Sequence, residues 1–318
     1  MTLIHSALTI AAAVLALVLP FRSAEAQLAR TFVSSVNGND ANNCDRATPC
    51  RTFETAHNNT LANGEITVLD PGGYGAVTIT KTISIINDGV GEAGLLVSGG
   101  VAGITINATA TDKINLRGLT IKGIGFGGGT GIVFNSGQSL TVENCTIRNM
   151  TGEGILFRPS GSSTFAATNT LVADNDFVGI SILPISSSAV DVAVVMNRVQ
   201  AHNNRDGIYF EANQAKGSLT AVITESIADG NAMVGFAFNS FNGGMAISAV
   251  ISRSVAVYNY EGIASTAGNS TVRVGRSLVA GNVYGWFADG TATLLSYADN
   301  DIDGNPNGNG APPLIAKK

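Results

Sequence analysis

An all-β solenoid of stacked coils is the fold class this sequence predicts, on three observations. Seven asparagines, Asn149, Asn175, Asn203, Asn231, Asn259, Asn282 and Asn305, recur at intervals of 26, 28, 28, 28, 23 and 23 residues. A Gly followed by an apolar or aromatic residue comes shortly after each of the first six, in Gly154-Ile155, Gly179-Ile180, Gly207-Ile208, Gly235-Phe236, Gly262-Ile263 and Gly285-Trp286. Between these marks the chain runs in short stretches of period-two alternation, with no apolar face of helix length. A fixed period built of such runs marks units that stack to bury one shared core.

Composition agrees with one elongated unit. The 38 glycines, 13% charged residues and 6% aromatics describe many tight turns between strands of small residues. The repeat runs through any obvious boundary, so 318 residues do not imply two domains. The formal net charge of −5 comes with no basic stripe, which argues against a nucleic-acid partner.

Taken in order, residues 1–26 read as a secretory signal, with an apolar run from Ala7 to Val18, Pro20, and Ala24-Glu25-Ala26 before Gln27. The segment Met1 to Ser6 departs from the pattern in having no Lys or Arg. An N-terminal membrane helix competes with this reading, but the run is short for a span. No later stretch reaches membrane length, so the expected address is secreted, periplasmic or cell-surface, with no transmembrane segment after cleavage. Residues 27–65 form a cap segment, 66–310 the coils, and 311–318 a tail. Within the cap, Cys44 and Cys50 flank a polar loop containing Pro49, and in an exported protein such a pair reads as a small disulfide rather than half a zinc site. Cys145 falls among apolar repeat positions and reads as a small hydrophobe.

The coils can be written in one way. In Thr220 to Phe238, Ala221 and Ile223 alternate with polar neighbours, Glu225 marks a corner, Ile227 opens the next run, Asn231 turns the chain, and Gly235-Phe236-Ala237-Phe238 is the last strand. Three strands per coil, each stacked ~4.8 Å from its counterpart, give three parallel sheets wound as a right-handed β-helix of about ten coils. Two inward columns follow: Ile132, Ile155, Ile180, Ile208, Phe236, Ile263 and Trp286; then Phe134, Phe157, Ile182, Phe210 and Phe238. The asparagines are expected at a left-handed bend, their amides bonded coil to coil as a ladder through Asn149, Asn175, Asn203, Asn231, Asn259 and Asn282.

With that repeat on the page, the chain from about Thr31 onward resembles the exported bacterial proteins with right-handed parallel β-helix repeats, within the pectate-lyase-like superfamily. The segments Phe32-Val33-Ser34-Ser35, Asn37-Gly38-Asn39-Asp40, Pro49-Cys50-Arg51-Thr52-Phe53 and Leu69-Asp70-Pro71-Gly72-Gly73-Tyr74 are similar to the entry into such folds. The resemblance implies an N-terminal cap with a short helix, here Thr52 to Leu61.

The polygalacturonase-like hydrolases of that superfamily carry a Gly-His-Gly and an Arg-x-Lys, and neither tripeptide occurs here, while its pectate-lyase-like enzymes need clustered acidic residues for calcium and a basic residue. Asp174, Asp176, Arg198, Arg205 and Asp206 offer carboxylates and a base as candidate catalytic residues, with solvated turn charges as the blander reading. The corner charges Arg117, Glu143, Glu225, Arg253 and Arg276 stack with opposite signs on neighbouring coils and read as structural. Asp229 stands where other coils place Ile147, Ala173, Ala201, Val257 and Ala280, so it is either turned out or buried and bonded. Asp299, Asp301 and Asp303 match the first half of a calcium loop, and the same segment aligns as an ordinary last coil. The outward row Val133, Leu156, Ser181, Tyr209, Ala237, Ala264 and Phe287 is apolar, which makes Tyr209 and Phe287 candidate sugar-stacking residues unless Pro312-Pro313-Leu314-Ile315 folds over them. The leading functional reading is an exported, non-enzymatic protein that binds a polysaccharide or cell-surface component. The alternative is a lyase or hydrolase acting on an acidic polysaccharide.

Overall fold

The computed structural model describes residues 27–124, 128–241 and 243–317, and the expected signal at 1–26 lies outside the described residues. The chain winds through three parallel sheets of 11, 10 and 9 strands, here called the first, second and third sheets. A representative coil passes from Lys216–Thr224 in the first sheet to Ile227–Asp229 in the second and Val234–Ser240 in the third. Its two corners are Glu225 (φ 51°) and Gly230 (φ 62°), because a bend this sharp needs the left-handed backbone region. Every strand pairs with its counterpart one coil away, so the long-range order is a simple stack.

The inward columns stand as the alternation predicts. Ile132, Ile155, Ile180, Ile208, Phe236, Ile263 and Trp286 are in register across the third sheet. All are buried except the half-buried Trp286 on the last coil, whose indole donates to Gly310 O at 2.5 Å. Aromatic side chains stack in the second column, Phe134 on Phe157 at 4.5 Å and Phe210 on Phe238 at 4.8 Å between centroids.

The asparagine ladder differs from the sequence reading at two coils. Side-chain amides are linked Asn175 to Asn204 (2.8 Å), Asn204 to Asn231 (3.1 Å), Asn231 to Asn259 (2.9 Å), Asn259 to Asn282 (3.0 Å) and Asn282 to Asn305 (3.0 Å). Asn203 is not a rung, and neither is Asn149; Met150 takes the rung position on that coil and its N–H donates to Asn175 Oδ1 at 3.0 Å. Two neighbouring positions have two different jobs. The left-handed corner holds Asn149 (φ 61°), Asp174 (φ 56°), Asn203 (φ 51°), Gly230 (φ 62°) and Tyr258 (φ 57°), and the buried rung comes one residue later. Bend tolerance and amide stacking therefore belong to different residues.

An apolar residue lies four positions before six of the recurring asparagines, at Cys145, Leu171, Val199, Ile227, Val255 and Leu278, and these too divide between two rows. Cys145 and Val199 fall in a buried corner row with Ser226, Ser254 and Ser277. There the N–H groups of Val199, Ser226 and Ser254 each donate to the hydroxyl one coil on at 3.2 Å, and Ser277 N donates to Asn300 Oδ1 at 2.9 Å. Leu171, Ile227, Val255 and Leu278 instead face outward, while Val172, Ala201, Ala228, Ala256 and Val279 fill the second sheet's share of the core.

At the N-terminal end, helix α1 (Phe53–Asn59) packs Phe53 against Tyr74, with ring centroids 5.1 Å apart. Thr52 caps it by accepting from Thr55 N at 3.3 Å. The helix ends before Leu61 because Thr60 is already extended and opens strand Thr60–Val68. Cys44 and Cys50 form a disulfide in the same cap. At the other end the tail does not fold over the third sheet. Ser296 N donates to Pro313 O and Ile315 N to Ser296 O, both at 2.9 Å, so the tail extends the first sheet and covers its edge.

Candidate binding ridge

The corner between the second and third sheets follows each ladder asparagine, and glycine fixes its shape. A Cβ at Gly207 would lie 2.6 Å from Gly235 O and 2.9 Å from the Asn231 amide nitrogen. Gly179, Gly235, Gly262 and Gly285 have the same surroundings, so the ladder and the glycine column require each other. With the backbone pinned there, the residue two positions before each glycine projects from the corner. These residues are Phe177, Arg205, Met233, Tyr260 and Val283, stacked one per coil.

They form a ridge of exposed apolar surface. Phe177 is 38% exposed, Met233 46%, Tyr260 43% and Val283 39%. Arg205 continues the ridge by laying its guanidinium over the Phe177 ring, 3.9 Å from the centroid, where the ring's negative face attracts the cation. Tyr260 and Tyr284 meet edge to face at 5.4 Å. The sequence reading missed Phe177, Met233, Tyr260 and Val283. The signal was present in the same Gly-apolar pairs, two residues upstream of each.

The next position inward along the corner carries Val178, Asp206, Val234, Glu261 and Tyr284. Asp206 is buried, and Arg205 Nε donates to it at 2.9 Å. Glu261 is half-buried with no hydrogen bond to its carboxylate among the described residues, and burial, then the nearby Asp206 charge, pushes its carboxyl above the usual carboxylate value. A raised folded-state value favours the protonated form in the native state, so this stabilisation is complete below the ordinary value near 4.5 and is lost as pH rises through the folded value. Glu261→Gln is accordingly expected to be more stable than wild type at pH 7, with the difference closing toward pH 4. Thermal unfolding across that range checks it, and a pH-independent difference would contradict it.

The outward row of the third sheet adjoins this corner. Val133, Leu156, Ser181, Ala237 and Ala264 are 2–8% exposed despite facing out, so the row is closed rather than an open apolar strip. Tyr209 is half-buried, its hydroxyl accepting from Asn239 Nδ2 at 2.6 Å, and burial pushes its phenol up. Phe287 is 39% exposed. Ala237 and Ala264 lie between the two aromatics, so they are three coils apart, about 14 Å at the coil spacing.

The five candidate catalytic residues divide into separate settings. Arg148 Nη2 engages Asp174 Oδ2 at 2.9 Å, and Asn203 Nδ2 donates to Asp174 Oδ1 at 3.3 Å. Asp176 is exposed at the ridge corner, where Arg205 and Asp206 pair with each other. Arg198 lies across the strand Gln200–His202, at the corner between the first and second sheets, where its Nε donates to Asn169 Oδ1 at 2.6 Å. Asp229 turns outward and meets His202 Nδ1. Of the corner charges, Glu225 pairs with Arg253 at 3.1 Å, whereas Arg117 is aligned with Glu143 but pairs with Asp88.

The expected calcium loop takes a different form. Asp301–Asp303 is a strand in register with Leu278–Ala280, Asn300 ends the serine row and Asn305 ends the ladder. Asp299 is held by Lys317 at 2.6 Å and accepts from Arg276 N at 3.1 Å. Asp301 and Asp303 are alternate, exposed residues of one strand, and Asp299 precedes that strand, so the three carboxylates lie along an edge instead of around a centre. Among the described residues no three His, Cys, Asp or Glu side chains are grouped to hold a metal ion.

Comparison with known proteins agrees with this architecture. No curated protein matches the chain in sequence. The crystal structure of pectate lyase Pel9A is similar in fold, with a TM-score of 0.58 and 17% identity over 91% of this chain and 79% of that one. At that identity the likeness extends to the fold. Residues 102–305, most of the coils, match the family described as the right handed beta helix region. The chain belongs to the right-handed beta-helix family.

Proposed function

We propose that this is an exported, non-catalytic binding protein whose corner ridge contacts carbohydrate, either a free polysaccharide or a glycan of a cell surface. The ridge carries the reading: exposed Phe177, Met233, Tyr260 and Val283 stack one per coil on a backbone fixed by the glycine column. Aromatic and apolar side chains held rigidly at a ~4.8 Å repeat suit the apolar faces of successive sugar rings. Export is supported by the Cys44–Cys50 disulfide, a bond that persists in oxidising compartments. The enzymatic alternative gains nothing from Asp174, Asp176, Arg198, Arg205 and Asp206, since Asp206 is buried and Arg198 lies at another corner.

Affinity electrophoresis through gels containing neutral and acidic polysaccharides tests the reading. Retardation by at least one polymer is expected, with binding weakened about tenfold by Tyr260→Ala and again by Phe177→Ala. Retardation unchanged in both variants would remove the ridge from the proposal. Unsaturated sugar products accumulating in the same mixtures would replace it with a lyase.

A further inference from the structure

On a different sheet from the ridge, at the C-terminal end, lies a groove of about 630 Å³ whose lining includes Ser252, Arg273, Arg276, Tyr297, Asp299 and Lys317. Its arginines differ from the ion-paired ones on the coils, and from Arg158 and Arg198, which each donate to an asparagine amide oxygen at 2.7 and 2.6 Å. Arg30, Arg117, Arg148, Arg205 and Arg253 each pair with a carboxylate. Arg273 and Arg276 are in no ion pair among the described residues and reach only hydroxyls, those of Ser248 at 3.3 Å and Ser252 at 3.4 Å. These are long contacts that leave most of both guanidinium forks available.

The local backbone builds this site. Arg276 sits at the left-handed corner (φ 51°) that Arg198, Glu225 and Arg253 occupy on earlier coils, directly after the strand that carries Arg273. Gly275 between them has no side chain, and a Cβ there would lie 3.0 Å from the Tyr297 ring and 3.2 Å from Asp299 Oδ1. The ring therefore packs close to the backbone as one wall. The tail supplies the other, placing Lys317 where Asp299 fixes it at 2.6 Å.

We propose that this groove binds a phosphate monoester through Arg273 and Arg276, with Lys317 as the third cation. Among the described lining residues, three cations against the Asp299 carboxylate leave a surplus of two positive charges, on a chain whose net charge is −5. A phosphate monoester carries about −1.5 to −2 near neutrality and three acceptor oxygens, matching that surplus and the two guanidinium forks. A single carboxylate, as on a uronic acid, would leave one positive charge unanswered. The ligand is held without any bond being made or broken, and Tyr297 is placed to contact the group that bears the phosphate.

Isothermal titration of the full chain in phosphate-free buffer, with glucose 6-phosphate, inorganic phosphate and galacturonate as probes, tests the assignment. Saturable binding of glucose 6-phosphate is expected, with galacturonate at least about tenfold weaker and R273Q/R276Q losing about tenfold or more at an unchanged Tm. K317Q, on the tail that pairs with the edge of the first sheet rather than within a coil, gives an independent variant with a several-fold loss if the double variant is unstable. Inorganic phosphate binding as tightly as glucose 6-phosphate would support recognition of the phosphate group alone, and tighter binding of the sugar phosphate would support an added contact at Tyr297. No saturable binding of either phosphate, equal affinity for galacturonate, or unchanged affinity in both variants would overturn the proposal.

Discussion

Asn204→Ala is expected to destabilise the protein by about 3–5 kcal/mol, and Asn203→Ala, one residue earlier, by about 1 kcal/mol. Asn204 Oδ1 accepts from both the N–H (3.2 Å) and the side-chain amide (2.8 Å) of Asn175, and Asn204 Nδ2 donates to Val172 O at 3.2 Å. All of these groups are buried, so truncation strips the Asn175 N–H and side-chain amide of their shared acceptor, at about 1–3 kcal/mol for each donor left unpaired away from water, and removes an added bond to Val172 O. Asn203 is exposed and contributes a left-handed corner (φ 51°) with a single amide contact to Asp174 at 3.3 Å. Its replacement strains one residue and orphans nothing. Denaturant titration of the two variants compares them directly, and equal losses would mean that the ladder contributes no more than the bend.

Gly235→Ala is expected to cost about 3 kcal/mol, the upper range for forcing one methyl into a packed interior. The added Cβ would lie 2.6 Å from Gly262 O and 2.9 Å from the Asn259 amide nitrogen. Neither atom is a flexible side-chain end: the first belongs to the paired backbone of the next coil, and the second is held by Asn282 Oδ1 at 3.0 Å. Relief requires the coils to separate or the ladder to break, and both sacrifice buried hydrogen bonds. A matched control is Gly243→Ala, where nothing lies within 4 Å of the new atom and only the left-handed backbone (φ 74°) is strained. Thermal melts should place the Gly235 variant well below the Gly243 variant, and the reverse order would mean that the glycine column is incidental.

How far the site could be read depends on which periodicity carries it. The inward third-sheet columns were legible because a side chain facing the core must be apolar on every coil, and Ile132 to Trp286 obey that rule without a break. The ladder was legible in period but not in position. Asn203 and Asn204 are adjacent and chemically identical, and at Asn149 the rung is a methionine. Only the fold separates the residue that bends the chain from the one that bonds the next coil. The ridge was hidden for the opposite reason: Phe177, Arg205, Met233, Tyr260 and Val283 share exposure rather than chemistry, and nothing in their identities marks them as one row.

By itself the sequence determined the solenoid and its three strands per coil, because both follow from local rules of alternation, turn tolerance and core burial repeated at a fixed period, whereas the capped N-terminal end came from the resemblance and the cysteine pairing from the expected export. Tertiary structure alone decided what the surface presents. Coil corners differ in length by one residue, as from Asn175 to Gly179 against Asn204 to Gly207, and such a slip moves every side chain between them to another row. That geometry separated Arg198 from Asp206 and set Asp299, Asp301 and Asp303 along an edge. It also brought the tail's Lys317 beside Arg273 and Arg276, residues about forty positions earlier in the chain.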